Sequence, residues 1–300
     1  MNFQKWRWLY NILFIVLILL LGKRFLRGID FSALMRLTPF TIGVLLVLYP
    51  VLYGIQLLSY RLIFLDMGRR VSVKPLFRIL ISGYAVDIVS PMRVGIPVQI
   101  YLMKQFLHLP VSTGTSAIVI KNFGEMFALL LISLMGMGWV FPHAIPPRGM
   151  TAAVGAILVL FTALWLTKEN LFKLLVSRIQ KVRGRTVQLL VILYLLKGLF
   201  WALGSNLVLS DFGMFFSPFR LFVIQSVSTT VGLLSFIPMG WGARDVTETT
   251  LLVGAAVPVS VAACLVMVER IFGTVIPLLL GWLSLQRFKR EERGPESSNV

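Results

Sequence analysis

Two short segments decide how this chain is read: Pro91-Met92-Arg93-Val94-Gly95 and, 147 residues further on, Pro238-Met239-Gly240-Trp241-Gly242. Both have the form P-M-x-x-G. Pro110-Val111-Ser112 also recurs, 148 residues later, as Pro258-Val259-Ser260. A shift of that size carries the apolar run that starts near residue 40 onto the one near 187, and the run near 111 onto the one near 259. Self-similarity at a fixed period marks a duplicated unit. The chain therefore reads as two repeats, about 1–145 and 146–286, within one membrane domain.

Composition fixes the solvent. Hydrophobic residues make up 57% and charged residues 14% of the 300 positions, with a mean hydropathy of +0.86, more apolar surface than a soluble fold can bury. Runs near 8–22, 40–64, 111–140, 150–167, 187–209 and 259–285 approach the roughly 20 residues needed to cross a bilayer core. The first is short but is followed by Gly22-Lys23-Arg24-Phe25 rather than a cleavage site, so it reads as an anchor or span. The fold class is an all-α integral membrane protein with about six spans.

The formal charge of +17 does not point to nucleic acid, because the basic residues gather in short loops between apolar runs. Threading six spans places 17 basic residues on one side and six on the other, so the positive-inside rule predicts both termini in the cytoplasm. Residues 168–186 mix leucines and phenylalanine with six basic residues, which fits either a helix in the inner interface or a solvated loop. Residues 287–300 read as a disordered cytoplasmic tail. The single cysteine, Cys264, excludes a disulfide framework, and His108 and His143 fall in different loops with no carboxylate spacing for a metal. No phosphate-binding or dinucleotide fingerprint is present, so no cofactor is expected.

Between the first two spans of each repeat and its P-V-S span lies a segment holding the P-M-x-x-G motif. In the first repeat it has 15 residues, Leu76 to Ser90, before Pro91 and Pro97. Proline removes a backbone donor and glycine loosens helix geometry, so the helix is expected to break at Pro91, Gly95 and Pro97 and the chain to turn back. In the second repeat, Leu221 to Ala243 is an uncharged stretch long enough to span, interrupted by Gly232, Pro238, Gly240 and Gly242. Two re-entrant hairpins would leave an odd number of spans per repeat and invert one repeat relative to the other, as in many transporters whose substrate sites lie at broken helices.

Ten ionisable residues fall within apolar segments: Asp87, Arg93, Lys121, Glu125, Lys197, Arg244, Asp245, Glu248, Glu269 and Arg270. At about 3 kcal/mol each on a lipid-facing helix, they must pair or line a wet cavity. Lys121 and Glu125, four apart, share a helix face and read first as a neutralising pair. Asp245 and Glu248 share another face. Glu269 and Arg270 are adjacent and should face different ways, and Lys197 reads as hydrogen-bonding across helices or snorkelling. Arg93 and Arg244 sit at the breaks, where a guanidinium and free helix N-termini favour an anion such as a lipid phosphate.

These motifs resemble the membrane region of the lysylphosphatidylglycerol synthase family, over nearly the whole chain. Pro91, Arg93, Gly95, Tyr101 and Leu102 match its first motif, whereas Ile96, Gln99 and Lys121-Asn122 depart from it. Pro238, Gly240, Gly242 and Arg244, with Asp245 in place of Glu, and Glu269-Arg270 match the second more closely. The resemblance implies movement of lipids between the leaflets of a bacterial or archaeal cytoplasmic membrane. It does not imply lysyl transfer, which belongs to a soluble domain, and only 14 residues follow residue 286.

The expected function is a lipid flippase or scramblase without its own ATPase, with membrane lipids bearing anionic head groups as partners. The substrate residues would be Arg93, Arg244, Asp245, Glu248, Glu269, Arg270, Lys121 and Glu125. The rival is a membrane-embedded transferase, or an accessory subunit working beside an envelope lipid-modifying enzyme, with Asp245 and Glu248 as its acid–base pair.

Overall fold

The computed structural model describes residues 31–90, 94–140, 182–235 and 240–292. The expected spans at 8–22 and 150–167, residues 168–181 of the basic segment, Pro91, Arg93, Pro238 and His143 lie outside the described residues. Regular structure among the described residues is entirely helical. After a 3-10 turn at Phe31–Arg36 come α1 (Pro39–Asp66), α2 (Val73–Val89), α3 (Gly95–Leu107) and α4 (Val111–Val140). Then follow α5 (Gly184–Ser210), α6 (Pro218–Leu234), α7 (Ala243–Gly254) and α8 (Val259–Arg270), which continues through a π-helical segment, Ile271–Val275, into α9 (Ile276–Glu292). The order long, short, short, long occurs on both sides of the undescribed middle.

Among the described residues four helical stretches are long and apolar enough to cross a membrane: α1, residues 111–138 of α4, α5, and Val259–Phe288 through the π segment. Only 17% of the most apolar window of α1 is buried within the protein. Phe40, Val47 and Leu46 of α1, Ile192 of α5 and Trp282 of α9 are all more than half exposed. Apolar faces of this extent require lipid as their solvent.

Contacts at the ends of α1 and α5 set the direction of the two helices. Thr38 caps α1, its hydroxyl accepting from the Thr41 amide, and Pro39 follows at the first helical position. The Thr38 amide donates to Asp211 Oδ2 at 2.8 Å, just past the end of α5. At the opposite end the Arg183 amide, just before α5, donates to Asp66 Oδ2 at 2.8 Å, on the last residue of α1. Each helix thus ends where the other begins, so α1 and α5 run antiparallel.

The short helices pack in pairs, α2 on α3 and α6 on α7. Leu76 at the start of α2 and Leu109 just past α3 share one apolar cluster with Ile63 and Phe64 of α1 and with Val182. Both outer ends of the α2–α3 pair therefore lie at the Asp66–Arg183 end. In the second pair, Leu221 and Phe222 of α6 and Leu252, Ala255 and Val257 at the close of α7 share a cluster with Leu45 and Leu209, with Leu37 and Phe212 packed against it. That pair is anchored at the Thr38–Asp211 end. Between halves, α9 packs on α2, and α4 on α6.

The breaks have local causes. Gly240 and Gly242 have φ of 64° and 83°, a region that glycine enters without steric cost. A Cβ on Gly232 would lie 2.9 Å from Arg244 Cβ, so glycine there lets α6 reach the start of α7. In the first pair the Gly95 amide donates to Asp87 Oδ1 at 2.7 Å, and a Cβ on Gly95 would lie 2.0 Å from the Gly83 carbonyl oxygen.

Two expectations need correction. Pro97 does not break a helix: it lies in the first turn of α3, where its missing N–H would have had no partner within the helix. Residues 287–292 do not belong to a disordered tail, because α9 continues to Glu292. Phe288 is buried against Phe106, with ring centroids 4.3 Å apart and the Arg78 guanidinium 4.3 Å from its own ring.

Candidate functional site: two buried charge networks

The break between α6 and α7 delivers Arg244, Asp245 and Glu248 to the interior on the first turns of α7, and α8 supplies Glu269 and Arg270 from its last turn. Glu248 is completely buried, and Asp245, Glu269 and Arg270 are each at most 8% exposed. The Arg244 guanidinium bonds Glu248 Oε2 at 3.2 Å and makes a shorter contact with Glu269 Oε2. It also lies 4.6 Å from the Trp201 ring centre. Asp245 Oδ1 accepts from Arg270 Nε at 2.8 Å, while its Oδ2 accepts from the Gly242 amide at 3.0 Å and closes the N-terminus of α7. The Arg270 guanidinium lies 5.1 Å from the Trp241 ring.

Helices α5 and α6 complete this network. Ser205 and Gln225 donate to Glu269 Oε1 at 2.7 and 2.8 Å. The Ser228 hydroxyl lies 3.4 Å from Glu248 Oε2. A cleft of about 10 Å³ between α1, α5 and α8 is lined by Tyr49, Trp201, Ser205 and Glu269, room for about one water.

The π segment follows Arg270 directly. Its widened turn offers the Gly273 carbonyl sideways, where it accepts from Tyr53 at 3.2 Å and Tyr84 at 3.0 Å. The two rings meet edge to face with centroids 6.0 Å apart, so α1, α2 and the π segment are bound at one point. Inserted turns of this kind concentrate at functional sites.

A second network joins α4 to α5. Glu125 Oε1 bonds Lys197 Nζ at 2.6 Å and its Oε2 bonds Lys121 Nζ, which also reaches Asn122 Oδ1 at 3.3 Å. Lys197 and Glu125 are 21% and 24% exposed, more open than any residue of the first network.

The predicted site residues thus separate into two groups. Arg244, Asp245, Glu248, Glu269 and Arg270 come together, and Lys121 and Glu125 form a different group with Lys197. Glu269 and Arg270, adjacent in sequence, reach different partners, Arg244 for the first and Asp245 for the second, and these partners are themselves neighbours on α7. Arg244 is not an open anion receptor: Glu248 and Glu269 already occupy its guanidinium. Lys197 bonds a carboxylate and does not snorkel. Ser205, Gln225, Trp201 and the tyrosines went unremarked in the sequence. Gln225 was the one with a signal, an uncharged amide in an apolar helix, where such residues bond across helices.

Long lipid-facing helices, paired short helices broken at glycines and charges buried between them define a polytopic helical integral membrane protein. The chain belongs to the family described as the lysylphosphatidylglycerol synthase TM region, which matches residues 8–281. No curated protein matches the chain.

Proposed function

We propose that this protein moves a phosphate-bearing anionic lipid between the leaflets of a membrane, without an ATPase or synthase activity of its own. The observation that carries the reading is the buried network at the α6–α7 break, five ionisable side chains in a protein whose outer surface is lipid-facing. Charge inside a membrane domain is costly and generally marks a path for a polar or ionic substrate. The head group would cross along the two networks while the acyl chains remain in the bilayer.

The same reading treats α2–α3 and α6–α7 as re-entrant hairpins that enter from opposite sides in an inverted repeat. Antiparallel α1 and α5, the end-to-end contacts of Asp66 and Asp211, and the anchoring of each hairpin at a different end support it. So does the shared order of elements. Arg69 and Arg70 follow the end of α1 that meets Arg183 and Arg185, which favours that end as the cytoplasmic one. Lys121 and Lys197 outnumber Glu125, and this more exposed group is the better first contact for a phosphate. The transferase alternative has less support, because Asp245 and Glu248 are both buried and Asp245 is held by Arg270 and by the Gly242 amide.

The test is purified protein in liposomes, with fluorescent anionic phospholipids and polyprenyl-phosphate lipids followed by quenching from outside. Faster exchange between leaflets than in protein-free vesicles is expected. Unchanged leaflet distributions for all of them would refute the reading.

A further inference from the structure

The network at the α6–α7 break is not electrically complete. It holds three carboxylates, Asp245, Glu248 and Glu269, against two guanidiniums, Arg244 and Arg270, and so carries a formal charge of −1. Uncompensated charge in a low-dielectric interior is strongly disfavoured.

Hydrogen bonding locates the deficit. Both oxygens of Asp245 and both of Glu269 have donors. Glu248, completely buried, has donors only at Oε2, and its Oε1 has no partner. Gln225, 2% exposed, gives its amide hydrogens to Ser205 and Glu269 and likewise leaves its Oε1 without a donor. Ser228 sits between them, its hydroxyl 3.0 Å from the Gln225 backbone carbonyl oxygen and 3.4 Å from Glu248 Oε2. The Arg244 Nε–H of the same network also lacks an acceptor, but a bond from it would add no charge, so two unfilled acceptors beside one excess negative charge point to a donor that brings one positive charge.

We propose that this donor is a proton on Glu248 Oε1 and that lipid movement is coupled to its binding and release. The inference rests on the transport reading above and supplies its energy source. A metal ion fits poorly, because two guanidiniums stand in the same network and no group of three acidic, histidine or cysteine side chains suited to a metal occurs among the described residues. The charged and titratable groups facing Glu248 are Arg244 and Asp245 on its own helix, Glu269 from α8 and Tyr49 from α1, with Arg270 of α8 paired to Asp245. The water-sized cleft reaches Glu269, the carboxylate that shares the Arg244 guanidinium with Glu248.

The step balances simply. A hydronium ion gives its proton to the Glu248 carboxylate and leaves water, and no other bond changes. The network then sums to zero and Glu248 relaxes its hold on Arg244. The guanidinium gains capacity for a phosphate, whose charge takes the place of the one removed. Proton and anionic head group therefore bind cooperatively and travel together.

Two measurements test this. In purified protein, infrared difference spectra between acid and alkaline buffer should contain a carboxylic acid C=O band that shifts in D2O, disappears in Glu248→Gln and moves to lower pH in Glu269→Gln, which removes the excess negative charge. In proteoliposomes, an imposed pH gradient should change the initial rate of a fluorescent anionic phospholipid by about fivefold or more, a protonophore should abolish the change, and Glu248→Gln should lose it. If Glu248→Gln does not fold, Glu248→Asp serves, moving the band instead of removing it. A band that persists in Glu248→Gln, one that Glu248→Asp leaves unmoved, or lipid movement indifferent to the gradient overturns the proposal. Protein that shows the band but moves no lipid under any gradient keeps the proton site and refutes transport.

Discussion

Among the described residues Glu125 is the acid that both lysines bond in the network joining α4 to α5, and removing it should cost far more than removing either lysine. In Glu125→Leu, the ammonium groups of Lys121 and Lys197, both within bonding distance of the lost carboxylate, face each other with no acid between them. Breaking a buried pair from one side costs about 3–5 kcal/mol, and the lower value, about 3, applies here because a quarter of the Glu125 side chain is exposed. Lys197→Met leaves Lys121 and Glu125 as a neutral pair one turn apart, so about 1 kcal/mol is expected. The double variant no longer sets two ammonium groups against each other and should recover about 1–2 kcal/mol relative to the sum of the single effects. Unfolding in mixed micelles with increasing SDS, followed by tryptophan fluorescence, measures all three. Equal costs for the two single variants, or strict additivity in the double, would show that the trio is not the electrostatic unit described.

Other predictions concern close approach, charge and topology. A Cβ on Gly281 would lie 2.3 Å from the Ile81 carbonyl oxygen, whereas one on Gly54 meets nothing within 4 Å. Gly281→Ala should therefore destabilise by about 1–3 kcal/mol through overpacking of α9 on α2, and Gly54→Ala should be neutral or stabilising by up to about 1 kcal/mol; the same unfolding assay compares them. Arg244→Ala should slow lipid movement at least about tenfold, a barrier increase of about 1.4 kcal/mol. Arg244→Lys should recover little of it, because an ammonium cannot span two carboxylates and stack on Trp201 as a guanidinium does. Single cysteines replacing Met35 and Phe215, both highly exposed, should be labelled from one side of the membrane and those replacing Arg69 and Arg183 from the other. Cys264 is buried and stays silent. Labelling of Met35 and Phe215 positions from opposite sides would contradict the antiparallel arrangement of α1 and α5.

What could be read in advance followed from how local each signal is. Expected spans at 40–64, 111–140 and 187–209 correspond to α1, α4 and α5 at 39–66, 111–140 and 184–210, because continuous apolar runs identify themselves without tertiary information. The last run, 259–285, is α8 and α9 with a π segment between them, and no pattern in Ile271–Val275 announces the extra residue in that turn. The stretch 221–243, which hydropathy alone would make a span, ends as a helix at Leu234, as Gly232, Gly240 and Gly242 indicated. Pairing of charges was less legible. Lys121 and Glu125 announce themselves by a spacing of four, but Lys197 meets Glu125 across 72 residues and Arg244 meets Glu269 across 25. Those encounters depend on helix packing, so residues reserved for an anion proved to be occupied by carboxylates.

The contacts between the halves bear on how the chain is made. A polypeptide enters the membrane in order, and α2 waits for α9, α4 for α6, and α1 for α5. While the ribosome is still translating the second half, the emerging first half has Lys121 to accompany Glu125 but not Lys197, and α2 lacks the helix that will cover it. Completion of the first half alone therefore leaves a set of helices without a closed interior. The protein should depend on the insertion machinery, or on a chaperone within the bilayer, to shelter those surfaces until the final helix is threaded into place.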